Sequence, residues 1–330
     1  MSAPAMTRRM IAVMVLVPVA VALALWVFAW PAARIAPQDL PVGIAGPATA
    51  TAQLEKGFGQ QEGAFEVHRY ADEAAARQAV EDRVVYGAVV ATPEGTRLLT
   101  ATAAGPMVAQ FLTQAVTAQA SAGAEIPVTD VVPTPAGDTR GSVLGASVLP
   151  LSMAGIATGA VVTLLGLRGA RAAVTLVGAA ALVGIAATAV AGSWLEAITG
   201  DWWTEAGAIG LTVLAMSAGA AGLAALLGQA GLGLGGLLMV FLGNSFSGVT
   251  SAPEMLPEPI GLIGQLLPPG AGGSLIRSVA FFDGAGAGAS LLTLSVWVVL
   301  GLSAVLVGAR ARRPAPAAVE TRAAEPALVG

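Results

Sequence analysis

Six stretches of this chain run for about twenty residues or more without a charged side chain, long enough to cross a bilayer. They lie at about 10–30, 142–166, 172–192, 206–228, 230–250 and 286–308. At 1.5 Å per residue, each reaches roughly 30 Å as a helix, which matches the hydrocarbon thickness of a membrane. A water-soluble fold would have to bury all six, and with 55% hydrophobic and only 11% charged residues the chain has little polar surface to cover them. The expected fold class is an α-helical membrane protein: six transmembrane helices plus a small mixed α/β extracytoplasmic domain inserted between the first and second helices.

The first run, Met10 to Trp30, follows Arg8 and Arg9, as in a signal peptide. Its length and the absence of a small-residue cleavage site favour an uncleaved anchor over a cleaved signal. Pro18 inside it bends rather than breaks a membrane helix. Basic residues assign orientation: Arg8, Arg9, Arg168, Arg171, Arg310, Arg312 and Arg313 fall on one side, as the positive-inside rule requires of cytoplasmic segments. The opposite short loops carry Glu196, Asp201, Glu205, Glu254, Glu258 and Asp283 against a single Arg277. Trp26, Trp30, Trp194, Trp202 and Trp203 sit near the outer ends of spans, at headgroup level. Both termini are expected in the cytoplasm of a bacterial cell, with the spans in its inner membrane. The sharpest joint is Gly228 to Gly231, where an uncharged turn must separate two spans.

Five domains follow: residues 1–9 as a cytoplasmic N-terminus, 10–30 as the first span, 31–141 as the extracytoplasmic α/β domain, 142–308 as a five-helix bundle, and 309–330 as a disordered cytoplasmic tail rich in Pro and Ala. Residues 31–141 hold more than half of the twenty acids. Val42 to Ala45 and Phe65 to Tyr70 read as strands, and Asp72 to Arg83 as a helix with an acidic first turn. Gly87 to Thr92 and Thr96 to Thr102 read as a strand pair joined through Pro93, Glu94 and Gly95. Pro106 opens a helix to about Ser121, and Ile126 to Val132 returns as a strand. Within the bundle, Ile260 to Leu267 is too short to cross. Its flanking prolines make residues 251–285 an interfacial or re-entrant segment.

Chemistry is sparse. There are no cysteines, which excludes thiolate metal sites and cysteine nucleophiles, and the one histidine, His68, reads as a solvated strand residue. No Walker A loop surrounds the single lysine, Lys56. Gly231 to Gly236 reads GLGLGG, but it opens a span rather than a strand-to-helix turn, so it is no dinucleotide loop. The runs themselves contain no ionisable residue, which disfavours proton- or ion-coupled transport. No enzyme activity, cofactor, metal or nucleic-acid partner is expected. Asn244, Ser245 and Ser247 cluster at the end of the fifth run and could meet a substrate or a neighbouring helix. Gly155 with Gly159, and Gly231 with Gly235, form small-residue ridges suited to packing within one subunit or to a dimer contact.

One span, an outer domain and five further spans resemble the permease subunits of the type-2 ABC exporter superfamily, in the large-outer-loop subgroup that includes phage-infection-protein relatives. Two stretches carry the resemblance: Ala74 to Val90 (AAARQAVEDRVVYGAVV), and Ser247 to Gly284 with SGVTSAPEMLP, QLLPPGA and SLIRSVAFFDG. The resemblance implies a homodimer among membrane lipids, powered by a separate ATP-binding subunit and exporting an apolar or amphipathic substrate. The chain departs from that pattern between the second and third spans, where only about Leu167 to Arg171 stands in place of a cytoplasmic coupling helix. Only about nine residues precede the first run here, so the family's helix lying on the membrane before the first span is not expected in this sequence. The alternative is a non-transporting membrane protein whose outer domain binds a partner or a cell-envelope component. Reporters fused after Gly105 and at the C-terminus should report opposite compartments. Finding both on one side would refute the six-span topology.

Overall fold

The computed structural model describes residues 3–93, 95–119 and 126–311. It is mostly helical, with one small mixed sheet. Among the described residues, five helices are long and apolar enough to cross a membrane: α1 (Ala3–Ala32), α5 (Ser142–Leu164), α6 (Gly169–Thr188, extended by a π-turn to Trp194), α7 (Trp202–Leu227) and α11 (Gly288–Ala311). The expected fifth run, 230–250, forms the shorter α8 (Gln229–Gly236), which continues as a π-turn over Leu237–Gly243. It stops early because Gly248, at φ +65°, turns the chain back on itself beside Pro253. The tail after Arg313 lies outside the described residues.

Between α1 and α5 lie β1 (Leu40–Ala45), α2 (Ala48–Gly59), β2 (Phe65–Tyr70), α3 (Glu73–Glu81), β3 (Gly87–Thr92), β4 (Gly95–Thr100), α4 (Pro106–Gln119) and β5 (Val128–Asp130). The sheet order is β2-β1-β3-β4-β5; only β3 and β4 run antiparallel. The central strands β1 and β3 are almost wholly buried, so they read as apolar runs (LPVGIA, GAVVAT) rather than alternating ones. Asp72 starts α3 by accepting from the Ala75 N–H at 2.9 Å. The expected strands and both expected helices of this domain are present with shifted ends. Glu94 and residues 120–125 fall outside the described residues. Helix α2 was not legible, because its sequence (ATATAQLEKGFG) opens on β-branched threonines and contains two glycines.

Helix α7 is the hub of the bundle, with most of its length buried and α5, α6, α8, α10 (Pro268–Phe281) and α11 all packed on it. Its sequence explains this, since Ala, Gly and Ser at half of its positions let five backbones approach one axis. The small-residue ridges lie here. A methyl at Gly155 would sit 2.6 Å from Met216 Cβ, and one at Gly159 would sit 2.7 Å from the Ser217 carbonyl. A methyl at Gly231 would run into the Leu223 carbonyl, and one at Gly235 would sit 3.2 Å from Ala220 Cα. All four faces are therefore filled within the chain. Gly301 of α11 likewise rides on the α7 backbone, 2.5 Å from the Ala218 carbonyl if given a methyl.

The segment between α8 and α11 is a helical hairpin, α9 (Ile260–Leu266) followed by α10, and α10 is buried on nearly every side. The turn of this hairpin reaches well down the bundle. Trp297 Nε1, nine residues into α11, donates to the Leu266 carbonyl at 2.9 Å, and Thr212, ten residues into α7, fills the space beside Gly272. At 1.5 Å per residue both positions lie roughly 14 Å along their helices. Overpacking a close helix contact costs about 1–3 kcal/mol. Gly159→Leu and Gly301→Leu should thus lower the thermal unfolding midpoint in detergent, whereas Gly178→Leu, whose added carbons meet open space, should not. Equal melting of all three variants would refute the hub packing.

Candidate functional site

Two adjoining cavities lie where the α/β domain meets the bundle. The lower, of about 380 Å³, is bounded by Phe28, Pro31 and Ile35 at the end of α1, by Val148 and Leu149 of α5, and by the turn from Asn244 to Ser251. The upper, of about 570 Å³, is bounded by Thr102, Gln110, Thr139, Arg140 and Ser142. Gly145, Ala146 and Thr250 line both, so the two cavities adjoin between the base of the domain and the flank of α1 and mark out a candidate path. Arg140 is the one charged residue on either lining. A third cavity, of about 100 Å³, lies at the opposite end of the bundle around Val162, Arg168 and Ala224.

Local chemistry fixes the upper walls. The Asp138 carboxylate caps α5, accepting from the Ser142 N–H at 2.9 Å and the Val143 N–H at 2.7 Å. Asp130 holds Thr102 by accepting from its N–H at 3.0 Å and its hydroxyl at 2.5 Å. The lower wall is a turn stabilised by its own side chains, with Ser247 Oγ donating to the Asn244 carbonyl at 2.9 Å. Asn244, Ser245 and Ser247, the polar cluster of the fifth run, are therefore gathered on the lower cavity. The Ser247 hydroxyl bonds within its own turn, and only its backbone carbonyl meets a neighbouring helix.

Beside this path lies a polar junction that the sequence did not reveal. Arg277, expected in a loop, is a buried residue of α10, only 4% exposed. Its guanidinium donates to the Val249 carbonyl at 2.6 Å, while its Nε meets no protein acceptor among the described residues. Arg83, after α3, donates to the Ser274 carbonyl at 3.2 Å and to Ser278 Oγ, and lies over the Phe282 ring at 5.3 Å. Tyr86 Oη donates to Glu254 Oε2 at 2.7 Å. Burial lowers both guanidinium groups, Arg277 to about 10 with Arg83 adding to the effect, and burial with the neighbouring Glu254 carboxylate pushes the Tyr86 hydroxyl up. Apolar contacts reinforce the junction: Ala252 and Met255 belong to the core around Leu40 and Val42, and Phe282 to that around Ala76 and Val80. The Ala36 and Gln38 N–H groups add bonds to the Met255 and Glu254 carbonyls, at 3.1 and 2.7 Å. The domain is thus docked on the bundle, not merely tethered at its two ends.

Glu205 is a second buried charge. Sequence placed it just outside a span; the structure places it in the first turn of α7, accepting from the Gly200 N–H at 2.8 Å. Proline and glycine density around residues 251–285 was the one signal that could have pointed to the Arg277 junction, because it marked a non-spanning segment in which a charge can be enclosed by protein. Among the described residues no group of three or more His, Asp or Glu is arranged to hold a metal ion. No family model, curated protein or solved structure matches the chain. Replacing Glu254 by Ala leaves the Tyr86 hydroxyl without its acceptor, which should cost about 1–3 kcal/mol of stability. Adding Tyr86→Phe to Glu254→Ala should recover part of that loss in thermal unfolding; strictly additive losses would show that the hydrogen bond contributes nothing.

Proposed function

We propose that this chain is a multi-pass membrane permease of the ABC-exporter type, moving an apolar or amphipathic substrate with a separate ATPase subunit as its motor. In this reading α8 with its π-turn supplies the sixth crossing, both termini are cytoplasmic, and the α/β domain stands outside a bacterial inner membrane. The reading is carried by the two adjoining cavities, which lie between the flank of α1 and the base of the domain and share Gly145, Ala146 and Thr250. Volumes of this size suit a small ligand. Both linings set apolar side chains beside polar ones, Phe28, Pro31 and Leu149 with Asn244 and Ser245 below, Pro106 and Met107 with Gln110 and Arg140 above, a mixture that suits an amphiphile. The lower polar cluster, Asn244, Ser245 and Ser247, would then serve the substrate path.

A second reading, a non-transporting protein whose domain binds an envelope component or partner, draws on one feature. Only Leu165 to Arg168 separate α5 from α6, which leaves little protein for a motor to grip. Capture of the full chain from native membranes in mild detergent separates the two. A stoichiometric ATPase supports the permease, and a ligand on the α/β domain with no ATPase overturns it. The chain has no cysteine, so Ala146→Cys provides an unambiguous reporter of the path. It should react from outside intact cells with a membrane-impermeant thiol reagent, and an inert Cys would rule the path out.

A further inference from the structure

The wall of the lower cavity is held mainly from behind. The Ser247 carbonyl accepts from Gln265 Nε2 of α9 at 2.9 Å, and the Val249 carbonyl accepts from Arg277 of α10. Ser274 Oγ, also on α10, donates to Gln265 Oε1 at 2.7 Å and so directs the amide of Gln265 at Ser247. The same helix is gripped by the α/β domain, because Arg83 bonds the Ser274 carbonyl and Ser278 Oγ. Two short routes therefore lead from Arg83 to the wall, one through Ser274 and Gln265 to Ser247, the other along α10 to Arg277 and Val249.

The backbone at Arg83 strengthens this assignment. Its φ is +57°, a conformation that costs a non-glycine residue free energy and that glycine would adopt freely. An arginine there gains what glycine cannot offer, a planar fork that reaches two oxygens of α10 while stacking on Phe282. An α-helix is stiff over the short distance from Ser274 to Ser278, so a displacement of the fork moves Arg277 with it.

We propose that Arg83 is the positioning residue through which the α/β domain sets the wall of the lower cavity, by holding α10 where Arg277 and Gln265 reach the Val249 and Ser247 carbonyls. The domain is then a control element for the path as well as its roof. For its functional meaning the proposal rests on the permease reading, but its geometry does not require it.

The test uses the full chain carrying Ser251→Cys, a buried reporter on the held wall of the lower cavity. Adding Arg83→Gln should raise its rate of reaction with an impermeant thiol reagent by about tenfold, the scale of losing a hydrogen bond from a charged donor. Arg277→Met should do the same, and Arg83→Lys should give an intermediate rate. Arg69→Gln, on the exposed pair with Glu55, should leave the rate unchanged. A second reporter, Gln114→Cys on the exposed face of α4, should react equally in every background and thereby shows that the domain remains folded. Should Arg83→Gln fail to fold, Ser278→Ala removes one of the two contacts and takes its place. A Ser251→Cys rate within twofold of the parent in a folded Arg83→Gln or Ser278→Ala protein overturns the proposal. That outcome leaves the permease reading standing, whereas absence of an ATPase with the coupling intact overturns the permease reading alone.

Discussion

The bundle depends on how closely backbones can approach α7. Lipid-like surroundings offer no hydrophobic gain for bringing one apolar helix against another, so association must come from dispersion contacts and short backbone distances. Helix α7 meets that demand with side chains no larger than a methyl or hydroxyl on most of its faces. Its neighbours answer with glycines of their own, Gly155 and Gly159 from α5, Gly184 from α6, Gly231 from α8 and Gly301 from α11. One slender helix can therefore carry five partners, and the larger residues Leu176, Met239 and Leu294 fill the gaps between them. A hub of this kind is stiff, because it has two sterically compatible surfaces at each crossing and little room for others.

That stiffness is what permits buried charge nearby. Arg277 sits in α10 against the hub, where an unpaired cation would be costly, and it is tolerated because protein supplies the Val249 carbonyl, Tyr86 and Glu254 around it. Two arginines share the junction with one carboxylate and one phenol, so like-charge repulsion between Arg83 and Arg277 has to be held in check by their hydrogen bonds to α10 and Val249. A polar network of this composition is sensitive to the loss of any member. It fixes the α/β domain on the bundle more specifically than the apolar contacts of Met255 and Phe282 could alone.

Much of this architecture was legible from residues. Uncharged runs gave the long helices because hydropathy over twenty residues is a strong signal, and Asp72 and Pro106 marked helix starts in the domain because capping and N1 preferences are local. The polar cluster Asn244, Ser245 and Ser247 could be picked out by composition, and it does line the lower cavity. What stayed hidden was long-range. Arg277 looked like a loop charge because α10 is only fourteen residues long and opens with two prolines; its burial depends on α7, α11 and a domain about 190 residues earlier in the chain. Arg83 gave no sign either, since its partners Ser274 and Ser278 lie 191 and 195 residues away. The early end of α8 was hidden in a similar way, because Gly248, one of many glycines in the apolar runs, shows its positive φ only in the turn it makes beside Pro253.

The two walls of the lower cavity are held very differently, and that asymmetry bears on how the path could open. One wall, the turn from Asn244 to Ser251, is tied through α9 and α10 to both the hub and the domain. The other is α1, whose apolar stretch is unburied along its length and which meets the bundle near its domain-proximal end, where Phe28 packs edge-on against Phe241 at 6.0 Å. A helix held at one end by few contacts has a low local free energy of displacement, while a turn bonded on three sides has a high one. Motion imposed by the domain would therefore reach the path in two ways, directly through residues 33–39 that lead from α1 into β1, and indirectly through Arg83 and α10. The first can swing α1 at small cost. The second changes the turn only when the hydrogen-bonded chain behind it moves as a unit.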